Sequence, residues 1–216
     1  MRFLDALLGR SRPKQPKLDA LFAVPGAAVT LQAALGLVPT GRAAVSFKPA
    51  SGQGFAVASD ELKGLLDLAV KEAGSTVRVE DDDYGYRWVV LDDPDLEDLV
   101  TSVHLVNSTL EEHGFGPQLL CSVFGFRPEG SGEPQGGAPE APEGSGEPRG
   151  GGAEDRGCHL VYLYKRGSFY PFAPRGDERR DNELELQVRA ALGADLPIEP
   201  ELARWFALWG IGKLGV

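Results

Sequence analysis

The chain has 216 residues, 42% apolar and 25% charged, with a net charge of −10 at neutral pH. Those values place it in the globular class, with enough apolar content for one principal core. The acidic balance argues against nucleic acid as a partner, because nucleic-acid recognition shows as a basic face.

The charge is unevenly spread. Residues 1–17 carry Arg2, Arg10, Arg12, Lys14 and Lys17 against Asp5, a net +4. Residues 128–155 carry seven carboxylates against Arg149, a net −6, which leaves −8 for the rest. No run approaches the roughly eighteen apolar residues that a bilayer span requires, and no signal-peptide pattern opens the chain, so a cytoplasmic protein is expected. Two cysteines, Cys121 and Cys158, in such a protein are expected to stay reduced.

The first predicted element is a short helix over 3–9. At 100° per residue Phe3, Leu4, Leu7 and Leu8 gather on one side, and a basic run including Arg10 and Arg12 follows. Such a segment can lie in the headgroup layer of an anionic membrane, or pack on its own domain. Helical patterns follow over 18–22 and 27–35, broken near Pro25-Gly26 and stopped at Gly36. A strand is predicted over 43–48. Ser59 is placed to cap a helix carrying Leu62, Leu65, Leu66, Ala69 and Ala73, which ends at Gly74.

Two strands, over 76–80 and 86–91, precede what should be the longest helix, opened by Asp95. Its stripe is Leu96, Leu99, Val100, Val103, Val106 and Leu110. Apolar, β-branched and aromatic runs predict strands over 119–126, 159–164 and 169–172. The last two are joined by a turn at Lys165-Arg166-Gly167-Ser168. A helix over 183–192 follows, with Asn182 and Glu185 spaced as a capping box. A final helix over 200–209 would use Leu202, Trp205, Phe206 and Trp209 as its buried stripe.

Between two of those strands the sequence Pro-Glu-Gly-Ser-Gly-Glu-Pro occurs twice, at 128–134 and 142–148. With no aromatic residue, this tract cannot bury enough surface to offset backbone ordering, and residues 128–156 read as a disordered hairpin insert. The organisation is therefore a basic N-terminal segment over 1–17, then one α+β domain over 18–127 and 157–216 that carries the insert. The element order predicts an antiparallel or mixed sheet with helices on one face or end.

Chemistry-bearing motifs are sparse. Asp81-Asp82-Asp83 lacks the glycine and spacing of a calcium loop. Gly114-Phe115-Gly116 follows a helix and enters a strand, the reverse of a dinucleotide loop. Cys121, Cys158, His159 and His104 lack metal-ligand spacing, so neither metal nor cofactor is expected. Two groups stay as candidates. His104, Asn107 and Ser108 lie on or beside the buried stripe of their helix, where a buried amide must find hydrogen-bond partners. Arg166, Arg179, Arg180 and Asn182 form a charged corner that could hold an anion or a partner's carboxylate, or could pair with neighbouring acids.

Several long motifs also carry a family likeness. They include Phe3-Leu-Asp-Ala-Leu-Leu-Gly-Arg10, Leu18-Asp-Ala-Leu-Phe-Ala-Val-Pro25, Tyr84-Gly-Tyr86, Val106-Asn-Ser-Thr-Leu110 and Gly114-Phe-Gly-Pro117. They continue through Leu160-Val-Tyr-Leu-Tyr-Lys-Arg-Gly-Ser-Phe-Tyr-Pro-Phe-Ala-Pro174 and Glu178-Arg-Arg-Asp-Asn-Glu-Leu-Glu-Leu-Gln187. In these the chain resembles the PspA-associated PspAB family over nearly its whole length except the repeat. The resemblance implies a cytoplasmic protein of the envelope-stress response, with a PspA-like protein and an HtpX-type membrane protease as associates. It supplies no catalytic residues. Two readings follow: a non-enzymatic adaptor at the inner membrane face, or a small enzyme or ligand-binding protein for an anionic substrate.

Overall fold

A computed structural model describes residues 17–73, 75–131 and 157–216 of the chain. The segment carrying Phe3, Leu4, Leu7, Leu8, Arg10 and Arg12 lies outside the described residues, as do 132–156 of the expected insert.

Six strands form one sheet: β1 (Leu37–Phe47), β2 (Thr76–Asp81), β3 (Arg87–Asp92), β4 (Leu119–Pro128), β5 (Cys158–Leu163) and β6 (Ser168–Phe172). Their spatial order is β2-β3-β1-β4-β5-β6, and every pair is antiparallel. The fold is thus α+β. β4 and β5 pair from Cys121↔Leu163 to Phe126↔Cys158, which makes them the two arms of a hairpin around the repeat. The pairing of β4 continues to Leu37↔Pro128, and the Glu129 amide donates to the Gly36 carbonyl at 2.7 Å, so ordered chain extends past the expected start of the insert.

Alternation along the strands separates two apolar faces. Ala43, Val45 and Phe47 of β1, Phe124 and Phe126 of β4, and Leu160 and Tyr162 of β5 join one buried cluster with residues from all the helices. Ala44, Val90, Cys121, Val123, Val161, Tyr170 and Phe172 form the second cluster, and what packs on them is Trp205, Ile211 and Leu214 of the C-terminal segment. Helices therefore cover one face. A strap formed by residues 199–216 covers the other.

On the helical side, a 3₁₀ turn (Leu18–Ala23) runs directly into α1 (Val24–Leu35). The expected break at Pro25-Gly26 is absent, because Pro25 falls in the first turn of α1, where its missing N–H leaves no hydrogen bond unmade. Gly36 closes α1 in the left-handed region, with φ 63°. The run Leu18–Leu35 is long and apolar enough, by length and composition alone, to cross a bilayer, with mean hydropathy 1.5, which revises the expectation that no such run exists. One side of it, Leu18, Leu21, Val24, Ala27, Ala28 and Leu31, is buried in the core, while Phe22 and Val29 face outward.

Other expectations shift for identifiable reasons. β1 starts at Leu37 rather than Ala43, because a bulge between Pro39 and Ala43, with Gly41 at φ 76°, lets the strand continue through residues that read as breakers. α2 (Gln53–Ala73) begins six residues before Ser59 and is the longest helix at 21 residues. Phe55 and Ala58 extend its buried side, and Phe55 meets Phe115 edge-on at 5.1 Å. Asp95 does cap α3 (Leu96–Glu112), accepting from the amides of Glu97 and Asp98 at 2.8 and 3.3 Å.

In α4 (Asn182–Leu192) the cap is Asp181, which accepts from the Leu184 amide at 3.1 Å. The expected capping box is not made, because Glu185 is drawn inward to the Ala173 amide at 2.9 Å. The final helix is absent as well. Residues 200–216 contain only 3₁₀ turns at Leu202–Arg204 and Ile211–Leu214. Side-chain donors of the sheet take carbonyls that a helix would use internally: Arg180 binds the Trp205 carbonyl at 2.5 Å and Tyr170 the Phe206 carbonyl at 2.9 Å. Trp205 alone of the expected stripe is buried, whereas Leu202, Phe206 and Trp209 are 53, 59 and 37% exposed.

Trp205 to Ala should therefore cost about 3–5 kcal/mol in denaturant unfolding, in the range of buried aromatic truncations. Phe206 to Ala should cost under about 1 kcal/mol, as exposed substitutions do. Equal costs at the two positions would fit a helical stripe and contradict the strap.

Candidate functional site

The strap begins at a buried carboxylate. Glu199 is 1% exposed, although glutamate rarely enters a core unpaired. Its Oε2 accepts from Arg166 Nε at 2.9 Å and from Ser168 Oγ at 3.0 Å. Its Oε1 accepts from Arg166 Nη2 and from the Glu201 amide, both at 3.3 Å. Gly167, with φ 63°, turns β5 into β6 and sets Arg166 and Ser168 on either side of that carboxylate. Burial acts to raise the Glu199 pKa, but the hydrogen bonds from Arg166, Ser168 and the Glu201 amide, with the Arg166 charge, outweigh it and hold the group below the ordinary carboxylate range. Arg166 is thus tied to the fold through Glu199.

Arg180 is used in the same way. A short hairpin, β7 (Pro174–Arg175) with β8 (Arg179–Arg180), places it beneath the strap. Its Nε donates to Glu185 at 2.8 Å, and its guanidinium lies 5.1 Å from the centroid of the Phe172 ring. With Nη1 on the Trp205 carbonyl, this one side chain joins α4, β6 and the strap. Arg175 pairs with Asp181. Asn182 stands exposed at the start of α4. Arg179 is the outward member of the corner, its side chain 75% exposed and 3.9 Å from Asp177. The corner expected from the sequence is therefore divided: Arg166 and Arg180 hold the strap, and Arg179 faces solvent.

The second expected cluster does not converge. Asn107 is fully buried, and its Nδ2 donates to the Val103 carbonyl at 2.8 Å and to Ser122 Oγ of β4 at 2.9 Å. It ties α3 to the sheet, as a buried amide requires. Ser108 instead donates to the Leu105 carbonyl of its own helix at 3.1 Å. His104 lies half-buried with its ring 4.9 Å from that of Phe22, away from the sheet. An open groove of about 320 Å³ is lined by Leu35, Leu37, Pro128, Arg175, Glu183 and Gln187 among others, and neither His104 nor Asn107 reaches it.

Among the described residues no group of three or more His, Cys, Asp or Glu side chains is arranged for a metal ion. Cys121 and Cys158 are buried free thiols on opposite faces of the sheet. Burial pushes both upward, Cys121 to about 12, so neither is an activated nucleophile.

Sequence reasoning missed Glu199 and assigned other roles to Glu185 and His159, which hold Arg180 and the end of the strap. His159 Nε2 lies 2.8 Å from the Val216 carbonyl oxygen and Nδ1 3.3 Å from that of Phe172. Burial outweighs both bonds and lowers its pKa, so the ring is neutral near pH 7. Glu199 sits between two prolines with no periodicity around it, so its burial leaves no local trace.

Because the Glu199 pKa is depressed on folding, its contribution is present above the ordinary value of 4.5 and is lost as pH falls through the lower folded value. Glu199 to Gln should destabilise the protein by about 2 kcal/mol at pH 7, a loss of hydrogen bonds to a charged group. The gap to the parent should close as pH drops below 4.5 in urea titrations. A gap that widens on acidification would contradict the assignment.

No curated protein and no solved structure matches the chain significantly. The profile of the PspAB family, described as PspA associated protein B, matches residues 1–213. The chain therefore belongs to the PspAB family, and membership supports an association with the PspA system.

Proposed function

We propose that the chain is a non-enzymatic adaptor of the PspA system, working at the cytoplasmic face of the membrane with a PspA-like protein as its direct partner. An HtpX-type membrane protease is a further associate in this reading. The observation that carries it is the use of the inward polar groups. Asn107, Arg166 and Arg180 each bind a named group of the fold, and none of the three lines the groove beside Leu35 and Arg175. A catalytic site needs nucleophile, base and stabilising donors within reach of one reacting atom.

The membrane-face location rests on the basic N-terminal segment. Phe3, Leu4, Leu7 and Leu8 supply an apolar side, and Arg10, Arg12, Lys14 and Lys17 follow within a few residues. Each such charge contributes about 1 kcal/mol near an anionic surface. The acidic remainder of the chain is repelled by the same surface, which favours a tethered rather than a flat-lying protein. Arg179, exposed on β8 beside the tip of its hairpin, is the charge best placed to meet a partner's carboxylate.

Affinity capture of the full chain under envelope stress should recover a PspA-like protein, and Arg179 to Glu should reduce that recovery while leaving stability within about 0.5 kcal/mol, as for other surface changes. Anionic vesicles should sediment the full chain, and Leu4 to Asp with Leu7 to Asp should abolish that sedimentation. Absence of the PspA-like protein from the captured material, with equal sedimentation of both forms, would overturn the proposal.

A further inference from the structure

We propose that β2 is a docking edge for the β2 strand of a second copy of this chain, the two strands pairing antiparallel about Val79. β2 and β6 are the outer strands of the six-stranded sheet. The β6 edge is closed from within: the Phe169 amide donates to the Pro197 carbonyl and the Glu199 amide to the Phe169 carbonyl, both at 2.8 Å. Among the described residues nothing closes the β2 edge in this way. An open strand edge is a row of unpaired donors and acceptors, a template for another strand.

The neighbour on its other side fixes which groups β2 turns outward. The Asp82 amide donates to the Tyr86 carbonyl at 2.8 Å, in the same register that sets Glu80 opposite Trp88, Arg78 opposite Val90 and Thr76 opposite Asp92. Bonded pairs alternate along an antiparallel ladder, so the even-numbered residues of β2 turn their backbone groups to β3. The Asp93 amide on the Gly41 carbonyl, at 2.8 Å, agrees, since it gives the odd-numbered residues of β3 to β1. Val77, Val79 and Asp81 therefore aim their N–H and C=O groups away from the sheet, and Val79 is also 58% exposed.

Side-chain charge selects the occupant and its register. Centred on Val79, two copies of β2 set Val79 opposite itself and Val77 opposite the second copy's Asp81, and each such pair exchanges two hydrogen bonds. Arg78 then stands directly opposite the second copy's Glu80, on both sides of the axis. Within one chain Arg78 already donates to Glu80 at 3.0 Å and to the Leu214 carbonyl at 2.7 Å, so pairing builds a cluster of alternating sign. Moving the centre one residue either way puts Arg78 against Arg78 or Glu80 against Glu80, and like charges directly opposite disfavour pairing. Asp81 brings no free charge to its apolar neighbour, because Arg87 donates to it at 2.7 and 2.8 Å. A strand complementary to itself fits a two-fold interface, in which both copies present the same patch.

The pairing does not depend on the adaptor reading, and it uses the sheet edge opposite the corner that holds Arg179. A contact limited to one strand edge lies at the low end of interface sizes, so association is weak and reversible.

Sedimentation equilibrium of the full chain is the test. The weight-average mass should rise from the 23.1 kDa of one chain toward twice that between about 1 µM and about 1 mM, the range of a weak interface. Val79→Pro removes an N–H that bonds no described residue, a change that an edge strand tolerates. It should weaken association about tenfold or more, since both central hydrogen bonds are lost at once, and should leave the urea midpoint near that of the parent. Glu80→Arg and Arg78→Glu should each stay monomeric alone, because each sets like charges opposite one another, while a mixture of the two should recover a dimer with one chain of each. Because Arg78→Glu gives up its Leu214 bond mixed or unmixed, that recovery reports the interface alone. A parent chain of constant mass overturns the proposal, as does a dimer that Val79→Pro leaves intact or a mixture no heavier than its parts. A PspA-like protein captured by a monomeric parent and lost from Val79→Pro also overturns it, assigning the edge to a foreign strand and leaving the adaptor reading standing.

Discussion

The rest of the structure depends on a sheet that is apolar on both faces and has helices enough for one. Alternation in β1, β4, β5 and β6 sends Val45, Phe124 and Tyr162 toward the helices and Ala44, Val123 and Tyr170 away from them. An antiparallel sheet can leave its second face wet only if that face is polar. Here it is not, and the C-terminal strap must cover it. The strap has few regular hydrogen bonds of its own, so its carbonyls are met by donors rising from the sheet and its flanks: Arg42 at Gly215, Arg78 at Leu214, His159 at Val216, Tyr170 at Phe206 and Arg180 at Trp205. Gly125 completes the fit, since a side chain there would come within 2.5 Å of Thr40 and 3.2 Å of Val216.

That arrangement ties several of the chain's arginines and carboxylates into its own fold. Glu199, Glu185 and Asp181 are buried or nearly so, and arginine pairs with each. Removing one partner from such a pair leaves the other charged and uncompensated, which makes the strap sensitive to changes at its ends. A protein built this way offers other molecules its outer surface: Arg179 on its hairpin, the apolar patch on the strap and the outward side of α1. In the proposed reading these are the surfaces a partner meets, and the family to which the chain belongs is described by its association with PspA.

Elements bounded by their own local chemistry were legible in the sequence. Asp95 announces α3, Gly36 ends α1, and β-branched and aromatic runs mark β3, β5 and β6. Legibility fails where a distant group decides. Leu202, Trp205, Phe206 and Trp209 have helical spacing, yet Arg180 and Tyr170 bind the Trp205 and Phe206 carbonyls and pull the segment open. Asn182 and Glu185 have capping-box spacing, yet the Ala173 amide and Arg180 claim the carboxylate. Asn107 was legible as a buried amide needing partners, but its partner Ser122 is fifteen residues away on another element. The arginine corner was visible as a charge cluster. Its division into inward and outward members was not, because that depends on Glu199, whose neighbours carry no pattern.

Amide hydrogen exchange in the native full chain tests the strap most directly. The Glu199 amide bonds the Phe169 carbonyl and the Phe169 amide the Pro197 carbonyl, both at 2.8 Å, at the edge of the buried sheet. If the strap is an integral cover, amides of Glu199 and Trp205 exchange nearly as slowly as those of the central strands β1 and β4. Fast exchange across 199–216 beside a protected sheet would show that the second face is covered by something else.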